Sequence, residues 1–385
     1  MRTAAKLASV ALISALAGCS TLADLNPFSR AEKRNPPAAL VDFKPTMTAR
    51  TLWTASVGRA GNFVFTPALS SGYVYAAGSE GTIVRVDAAT GRQRWSISAG
   101  MPLTAGVGTD GNTVAVAGEK GVVLAYDVEG KLRWKAQASS EVLSAPAVGQ
   151  GLVVVRSVDN RVTAYDADTG ARRWFLQRTT PALTLRSAPG IQIVGPTAFV
   201  ALPGGRLLAL ATASGAPRWE VAVGDPRGAT ELERISDVAG MPLLIGRDVC
   251  AVSYQGKVAC FDAVTGAPRW AKEFSSDVGL AGDDRFVYAA DDKGAVTALS
   301  RESGAGAWKN DKLAYRRLSA PAALGNAVAV GDYQGYVHFL SRDDGAFVAR
   351  VSTDGSSLTG TTPLNDGKTA IFQTQAGALV AVAAE

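Results

Sequence analysis

The segment VDAATGRQRW, residues 86–95, decides the fold of this chain, because six further segments follow the same pattern. Each segment has a turn that ends in glycine and, four residues beyond that glycine, a tryptophan or, once, an alanine. The equivalent positions are residues 53, 95, 134, 174, 219, 270, 308 and 349, of which the first lacks the turn and the last is Ala349. A period of about 40 residues along the whole chain identifies a repeat protein.

Each repeat contains four short segments typical of β-strands. In the third repeat we predict strands at residues 144–148, 152–157, 161–166 and 172–176. Four antiparallel strands in about 40 residues make one blade of a β-propeller. The sequence therefore predicts an all-β fold, an eight-bladed propeller of four-stranded antiparallel blades.

The last blade is predicted to be shared between the two ends of the chain. After the Ala349 position, residues 357–364, 369–375 and 378–382 supply only three strands. Residues 50–57, which contain Trp53, supply the missing outer strand. We expect this N-terminal strand to complete the C-terminal blade and close the ring, which covers the sheet edge that a three-stranded last blade would leave open.

The composition argues against several classes of function. With 47% hydrophobic and 19% charged residues, the 385-residue chain is neither disordered nor a coiled coil. One His and three Cys leave few soft ligands for a catalytic transition metal. The formal charge of +5 falls to +3 without Arg2 and Lys6 of the leader, which is too weak to predict binding of nucleic acid.

The N-terminus resembles a bacterial lipoprotein signal peptide over residues 1–18. Two basic residues precede an apolar run of about 11 residues, well short of the ~20 needed to span a bilayer. The sequence LAGC, which ends at Cys19, resembles a lipobox and implies cleavage before the cysteine and acylation of its thiol. An ordinary signal peptide with an incidental cysteine is the alternative.

Residues 19–45 are interpreted as the lipidated cysteine and a flexible tether, because they show no sustained apolar period. The propeller is predicted to occupy residues 46–385. Ser20 follows the cysteine, which in this class of lipoproteins favours the outer membrane. We therefore expect a lipid-anchored protein on the periplasmic face of the outer membrane.

The repeat resembles that of pyrroloquinoline quinone (PQQ) dehydrogenases, which makes a periplasmic quinoprotein the alternative function. Such enzymes have adjacent cysteines and a Ca²⁺ held by oxygen ligands, whereas no two cysteines are adjacent here. The candidate ligands Asp283-Asp284 and Asp291-Asp292 lie in turn-like positions typical of solvated loops. The single histidine, His338, lies within a strand and is interpreted as structural or surface polar. We expect no catalytic residue, metal or cofactor.

Two repeats are longer than the others, at 45 and 51 residues, and the extra residues fall between the outer strand of one blade and the inner strand of the next. The first insert, residues 177–187, contains Leu183, Leu185 and Arg186, an apolar pair beside an arginine as in many protein interfaces. The alternative is that both leucines fold onto their own blade.

The second insert, residues 224–240, is charged and also contains Leu232 and Ile235. Thr230 is suited to cap a helical turn in which these two apolar residues share a face. Since strands alternate in direction, both inserts are expected on one face of the ring. Neighbouring insertions on one face of a repeat protein predict a binding surface.

The inserts also carry the most specific family resemblance. The segments LTLRSAP (183–189), GATELERISDV (228–238) and GDYQGY (331–336) make the chain similar to the propeller lipoproteins of the outer-membrane β-barrel assembly (Bam) machinery. In that family an L-x-L-R loop and an S-D-V-D loop contact the POTRA domains of BamA, the barrel-forming subunit. Carried across by position, the contact candidates are Leu183, Leu185, Arg186 and Asp237.

The resemblance implies a non-catalytic scaffold of the Bam complex, which docks on BamA and assists the folding and insertion of outer-membrane proteins. The second Asp of the family loop falls at Ala239 here, so one acidic contact is lost or relocated. Binding of unfolded outer-membrane protein precursors at strand edges is a further hypothesis that no motif in this sequence supports.

Cys250 and Cys260 flank a predicted hairpin with its turn near Gln255-Gly256. Pairing about this turn places the two cysteines opposite each other, and an oxidising periplasm permits a disulfide. Disulfides between adjacent strands are uncommon, so two buried free thiols are the alternative. The sequence leaves both states open.

Overall fold

Thirty-two strands in the described part of the chain, β1 to β32 in chain order, form eight four-stranded antiparallel sheets. The computed structural model describes residues 35–185, 188–358, 364–365, 367 and 369–385. The predicted signal peptide, Cys19 and Arg186 lie outside these residues. Within them, no helix has the length and apolar character needed to cross a bilayer. The predicted eight-bladed all-β propeller is confirmed.

The strands of each blade follow one another in the chain from the central channel outward, except in the last blade. Blades one to four contain β2 (Ala68–Ser70), β3 (Tyr73–Ala77), β4 (Thr82–Asp87), β5 (Gln93–Ser98); β6 (Gly108–Thr109), β7 (Thr113–Ala117), β8 (Val122–Asp127), β9 (Leu132–Gln137); β10 (Ala147–Gly149), β11 (Leu152–Arg156), β12 (Arg161–Asp166), β13 (Arg172–Gln177); and β14 (Ile191–Val194), β15 (Thr197–Leu202), β16 (Arg206–Ala211), β17 (Pro217–Ala222). Blades five to eight contain β18 (Val238–Ile245), β19 (Asp248–Ser253), β20 (Gly256–Asp262), β21 (Pro268–Phe274); β22 (Leu280–Gly282), β23 (Phe286–Ala290), β24 (Val296–Ser300), β25 (Gly306–Asn310); β26 (Ala322–Leu324), β27 (Ala327–Gly331), β28 (Tyr336–Ser341), β29 (Phe347–Ser352); and β30 (Leu364–Asn365), β31 (Thr369–Gln373), β32 (Ala378–Ala384), β1 (Ala49–Ser56). A 3₁₀ turn, Glu119–Gly121, lies between β7 and β8.

The ring closes as predicted. Strand β1 pairs antiparallel with β32, and Trp53 lies opposite Ala381. Thr48 and Glu385 exchange backbone hydrogen bonds of 2.9 and 3.0 Å at the seam. The eighth blade therefore depends on both ends of the chain.

The apolar runs in the sequence correspond to the second strand of each blade. In β7 (TVAVA) and β27 (AVAVG) every residue is buried, because these strands are covered by neighbouring blades on both faces. Eight apolar clusters fill the spaces between successive blades around the ring. The core is thus divided among the blade junctions.

The repeated tryptophan joins each blade to the next. Its indole N–H donates to a backbone carbonyl in the c–d turn (the turn between the third and fourth strands) of the following blade, at 2.7 to 3.3 Å. The donor and acceptor pairs are Trp53 and Ala88, Trp95 and Val128, Trp134 and Ala167, Trp174 and Thr212, Trp219 and Ala263, Trp270 and Arg301, and Trp308 and Arg342. The tryptophan is therefore structural.

The glycine of the repeat is required by the same contact. Gly345 has φ +72°, and a Cβ at this position would lie 2.4 Å from the ring of Trp308. Only glycine tolerates both the left-handed backbone and the tryptophan face pressed against it.

Ala349 replaces tryptophan because the next blade has no turn to receive it. In the eighth blade the third strand is β32 and the fourth is β1, so Thr48 and Glu385 lie where the c–d turn would be and no turn joins the two strands. The backbone N–H groups of Thr46 and Met47 instead donate to the carbonyl of Val348, at 3.0 and 3.2 Å. The missing tryptophan marks the seam of the ring.

The compact unit of the propeller begins at Ala38, before the predicted end of the tether. We call residues 38–47 the strap, because they lie along the outer part of the seventh blade. The carbonyl of Ala38 accepts a hydrogen bond of 2.9 Å from Arg316, and Phe43 stacks on Phe347 with ring centroids 5.4 Å apart. The last part of the predicted flexible tether is therefore bound to the propeller.

A buried polar network fastens the strap. His338 Nε2–H donates to Asp332 at 2.9 Å, while Nδ1 accepts a hydrogen bond of 3.1 Å from Arg350, which requires a neutral imidazole. Burial lowers the pKa of His338, in agreement with this state. Asp332 also accepts from Arg316 at 2.7 Å, and Arg350 reaches the carbonyl of Val41 in the strap. The histidine is structural.

Cys250 and Cys260 are directly opposite each other on β19 and β20, as the hairpin predicted. The structure joins them by a disulfide, with the Cα atoms 4.0 Å apart. Of the two states that the sequence left open, the structure has the bridged one.

Candidate partner-binding face

Both inserts lie on the same face of the ring. Because strands alternate in direction, the connections between blades and the b–c turns, which join the second and third strands of a blade, emerge at one end of the sheets. The first insert joins β13 to β14 and the second joins β17 to β18. We call this end of the third to fifth blades the insert face.

One leucine of the first insert is exposed and the other is half-buried. Leu183 is 43% exposed, whereas Leu185 is only partly accessible. The start of the insert is held by Asn160, whose side-chain N–H donates to the carbonyl of Thr179 at 2.9 Å. The alternative in which both leucines fold onto their own blade does not describe this arrangement. Arg186 lies outside the described residues.

Asp237 ties the two inserts together. It lies at the end of the second insert, is only 3% exposed, and its carboxylate accepts the backbone N–H of Leu185 at 2.6 Å and that of Gly204 at 3.0 Å. Burial raises the pKa of Asp237, while the hydrogen bonds from Gly204 and Leu185 and the charge of Arg156 oppose this rise. The structure thus places this predicted contact residue behind the first insert, where it fixes the backbone of Leu185.

The second insert contains the expected helical turn. Thr230 Oγ1 accepts the backbone N–H of Glu233 at 3.3 Å, and the Glu233 carboxylate accepts the N–H groups of Thr230 and Ala229 at 3.1 and 2.7 Å. This reciprocal pattern is a capping box, and its hydrogen bonds lower the pKa of Glu233.

Leu232 and Ile235 do not share a face as expected. Leu232 is 68% exposed, whereas Ile235 is buried, because the helical turn ends at Arg234 and the chain then turns inward toward β18. Leu232 adds an exposed apolar side chain to the insert face.

A small cavity of about 110 Å³ lies beneath the first insert. Its lining residues are Leu143, Arg156, Val158, Thr184, Leu185, Pro189, Pro203 and Asp237. Arg156 is 8% exposed, and its Nε has no hydrogen-bond partner among the described residues. Burial lowers the pKa of Arg156 to about 10, although the charge of Asp237 raises it.

Sequence reasoning missed Arg156, although the strand alignment contains the signal. It is the last residue of β11, the second strand of its blade, and it follows the buried run LVVV. The corresponding strands of the other blades end in uncharged residues, namely Ala77, Ala117, Leu202, Ser253, Ala290, Gly331 and Gln373. A charged residue at this buried position is therefore specific to the third blade.

The mouth of the central channel opens on the same face as a cavity of about 610 Å³. Leu185, Met241, Asp277, Asp292 and Arg317 contribute to its lining. Burial raises the pKa of Asp277 and of Asp292, and the latter is raised further by the charge of Asp291. Over the described ranges, no group of three or more His, Cys, Asp or Glu side chains is arranged to hold a metal ion.

The two acidic pairs considered for a quinoprotein site do not converge. Asp283 and Asp284 both pair with Arg342. The two aspartates lie in the turn between β22 and β23, on the face of the ring opposite Asp291-Asp292. The disulfide of the fifth blade is buried between strands. In the described part of the chain, the acidic pairs and the cysteines therefore do not assemble the metal and cysteine arrangement of that alternative.

Fold and sequence repeats together define a β-propeller with PQQ-like repeats, in which two loop inserts lie on one face. A family model described as "Outer membrane protein assembly factor BamB" matches residues 43–101 and 79–310, and the chain belongs to this family. BamB of Bordetella pertussis is 46% identical over 96% of this chain and 94% of the relative. The predicted family resemblance is confirmed.

Two solved structures have a fold similar to that of this chain. The crystal structure of BamB from Moraxella catarrhalis is 26% identical with a TM-score of 0.80, over 87% of this chain and 100% of that chain. A quinohemoprotein alcohol dehydrogenase from Comamonas testosteroni has a TM-score of 0.68 at 14% identity, over 87% and 76% of the two chains, which shows the shared fold alone. The sequence relative is named an assembly factor, in agreement with the expectation that the chain is not an enzyme.

Proposed function

We propose that the chain is a non-catalytic scaffold subunit of the Bam complex, which assembles outer-membrane proteins. Its family is named for outer membrane protein assembly. The proposal includes a lipid anchor on Cys19 that holds the protein at the periplasmic face of the outer membrane, in accordance with the lipobox.

Within the complex, the insert face docks on the POTRA domains of BamA. The observation that carries this assignment is the pair of hydrogen bonds from Leu185 and Gly204 to Asp237, which couples the first insert to the end of the second. Exposed Leu183 and Leu232 lie on loops held by such internal bonds. A surface ordered before binding loses less conformational entropy on association.

The four contact candidates have different parts in this proposal. Leu183 is the exposed apolar anchor, and the half-buried Leu185 supports it. Arg186 forms a charge-dependent contact that weakens with added salt. Asp237 is a positioning residue that acts through the backbone of Leu185.

Binding to the isolated POTRA domains of BamA, measured with the full-length chain in detergent, tests the proposal. Leu183→Ala should weaken binding by about tenfold or more if the leucine is an anchor. Leu132→Ala is the matched control, because Leu132 is 50% exposed on β9, away from the inserts. Equal affinities of wild type and both variants would refute the site, and no binding by wild type would refute the function.

Binding of unfolded outer-membrane protein precursors stays a hypothesis within this proposal. The outermost strands, such as β9 and β13, pair on one side only, so their free edges are able to accept an extended peptide. Crosslinking of an unfolded precursor to β13, with competition by the POTRA domains, distinguishes this edge from the insert face.

A further inference from the structure

We propose that the cavity beneath the first insert is a socket in which Arg156 binds a carboxylate of the docked partner. The inference rests on the proposed function and adds the chemistry that the partner must supply. It assigns the third blade a polar recognition element besides the exposed leucine of the first insert.

The Nε of Arg156 has no hydrogen-bond partner among the described residues, and the nearby charge of Asp237 acts on the guanidinium only through space. Only 8% of the residue is exposed, so its charge is almost fully removed from water. The carboxylate of Asp237 is on the wall of the same cavity, but the N–H groups of Leu185 and Gly204 already bind it. A buried charge without a counterpart is costly, so proteins pair such groups.

The size and lining of the socket suit an acidic side chain. A dry cavity of about 150 Å³ accommodates benzene, so a carboxylate on its methylene stem fits within about 110 Å³. The planar guanidinium offers two parallel N–H groups that match the two oxygens of a carboxylate. Leu143, Pro189 and Pro203 supply apolar wall for the stem.

The position of the socket favours a carboxylate of the partner over a free anion. Val158 and Thr184 line the socket and are also exposed on the insert face. Leu185 belongs to both the socket wall and the proposed docking loop. A partner seated on this loop therefore covers the opening and excludes water from the ion pair, which strengthens it.

Affinity for the POTRA domains of BamA, measured with full-length variants, tests the inference. Arg156→Met keeps an unbranched apolar stem but removes the guanidinium and its charge, and it should weaken binding about ten- to a hundredfold. Arg156→Lys keeps the charge but not the paired N–H groups and should give a smaller loss. Arg92→Met, on the opposite face, is the control and should bind like wild type.

A double-mutant cycle identifies the source of the carboxylate. Each Asp and Glu of the POTRA surface is changed to its amide and measured against wild type and Arg156→Met. The inference requires one acidic residue whose loss weakens wild type but has little further effect on Arg156→Met. If no acidic residue couples to Arg156, the partner is not the source and the inference is overturned.

Thermal unfolding of the isolated chain provides the second arm. Arg156→Met relieves the desolvation of a buried charge but also removes its attraction to Asp237, so the melting temperature should change little. A large decrease, with normal docking by Arg156→Lys, would show a structural role and overturn the inference. Stabilisation by free acetate or phosphate that requires Arg156, with unchanged partner affinity, would identify a free-anion site and also overturn it. Normal docking by Arg156→Met refutes this socket alone, whereas absent docking by wild type refutes the proposed function.

Discussion

Replacement of Asp237 by alanine tests how the two inserts are coupled. The change leaves the N–H groups of Leu185 and Gly204 without their common acceptor. Hydrogen bonds to a charged group contribute roughly 1.5–3 kcal/mol each, and the relief of carboxylate desolvation offsets part of this loss. We therefore expect a decrease of about 2–4 kcal/mol in the free energy of unfolding.

Asp237→Asn should have a smaller effect, because the amide oxygen still accepts one N–H while its NH₂ faces the other donor. Asp168→Ala is the control, since the Asp168 side chain is 85% exposed and its ion pair with Arg133 is at the surface. Such pairs contribute about 0–1 kcal/mol.

Urea unfolding gives the stability of each variant, and amide hydrogen exchange at Leu185 reports the hydrogen bond directly. Loss of protection at Leu185 together with weaker POTRA binding would support a positioning role for Asp237. Unchanged protection at Leu185 in Asp237→Ala would show that the carboxylate does not hold the first insert. Unchanged protection with weakened docking would instead make Asp237 a direct contact.

Three further predictions concern the ring itself. Gly345→Ala should destabilise the fold by about 2–5 kcal/mol in urea, from left-handed strain and the clash with Trp308. Gly306→Ala, with open space around its Cβ, should change stability by less than about 1 kcal/mol, and equal effects would exclude the packing argument. Burial lowers the pKa of His338 from 6.5, so protonation of the imidazole favours the unfolded chain. The contribution of His338 to the melting temperature should be complete above pH 6.5 and decrease as the pH drops below it, and His338→Gln should lack this decrease. Deletion of residues 46–57 should give unfolded or aggregated protein by size-exclusion chromatography, and a monomeric folded product would contradict ring closure.

The number of blades and the closure of the ring were predictable because both depend on a strict period. Each tryptophan contacts the next blade in the same way, so sequence spacing reports blade spacing. The reason for Ala349 required the structure, since it depends on where the chain ends meet. A local pattern contains no information on what the following blade offers as a hydrogen-bond acceptor.

The loops of the candidate site were predictable, but the burial of individual side chains was not. Asp237 belongs to a charged loop, yet its carboxylate turns inward because Leu185 and Gly204, distant in sequence, present unpaired N–H groups. Arg156 was missed because an apolar strand was interpreted as core in its entirety. The burial of both residues depends on contacts between the third, fourth and fifth blades, and the spacing of the repeats does not describe such contacts.

The strap has a mechanical consequence. The seventh blade, which holds the strap, is half a turn around the ring from the third, where the first insert begins. A pull on the chain from the N-terminal side is resisted first by the strap, through the Phe43–Phe347 stack and the hydrogen bonds of Arg316 and Arg350. The seam between β1 and β32 is loaded only after these contacts yield, so the strap protects the closure of the ring from tension at that end.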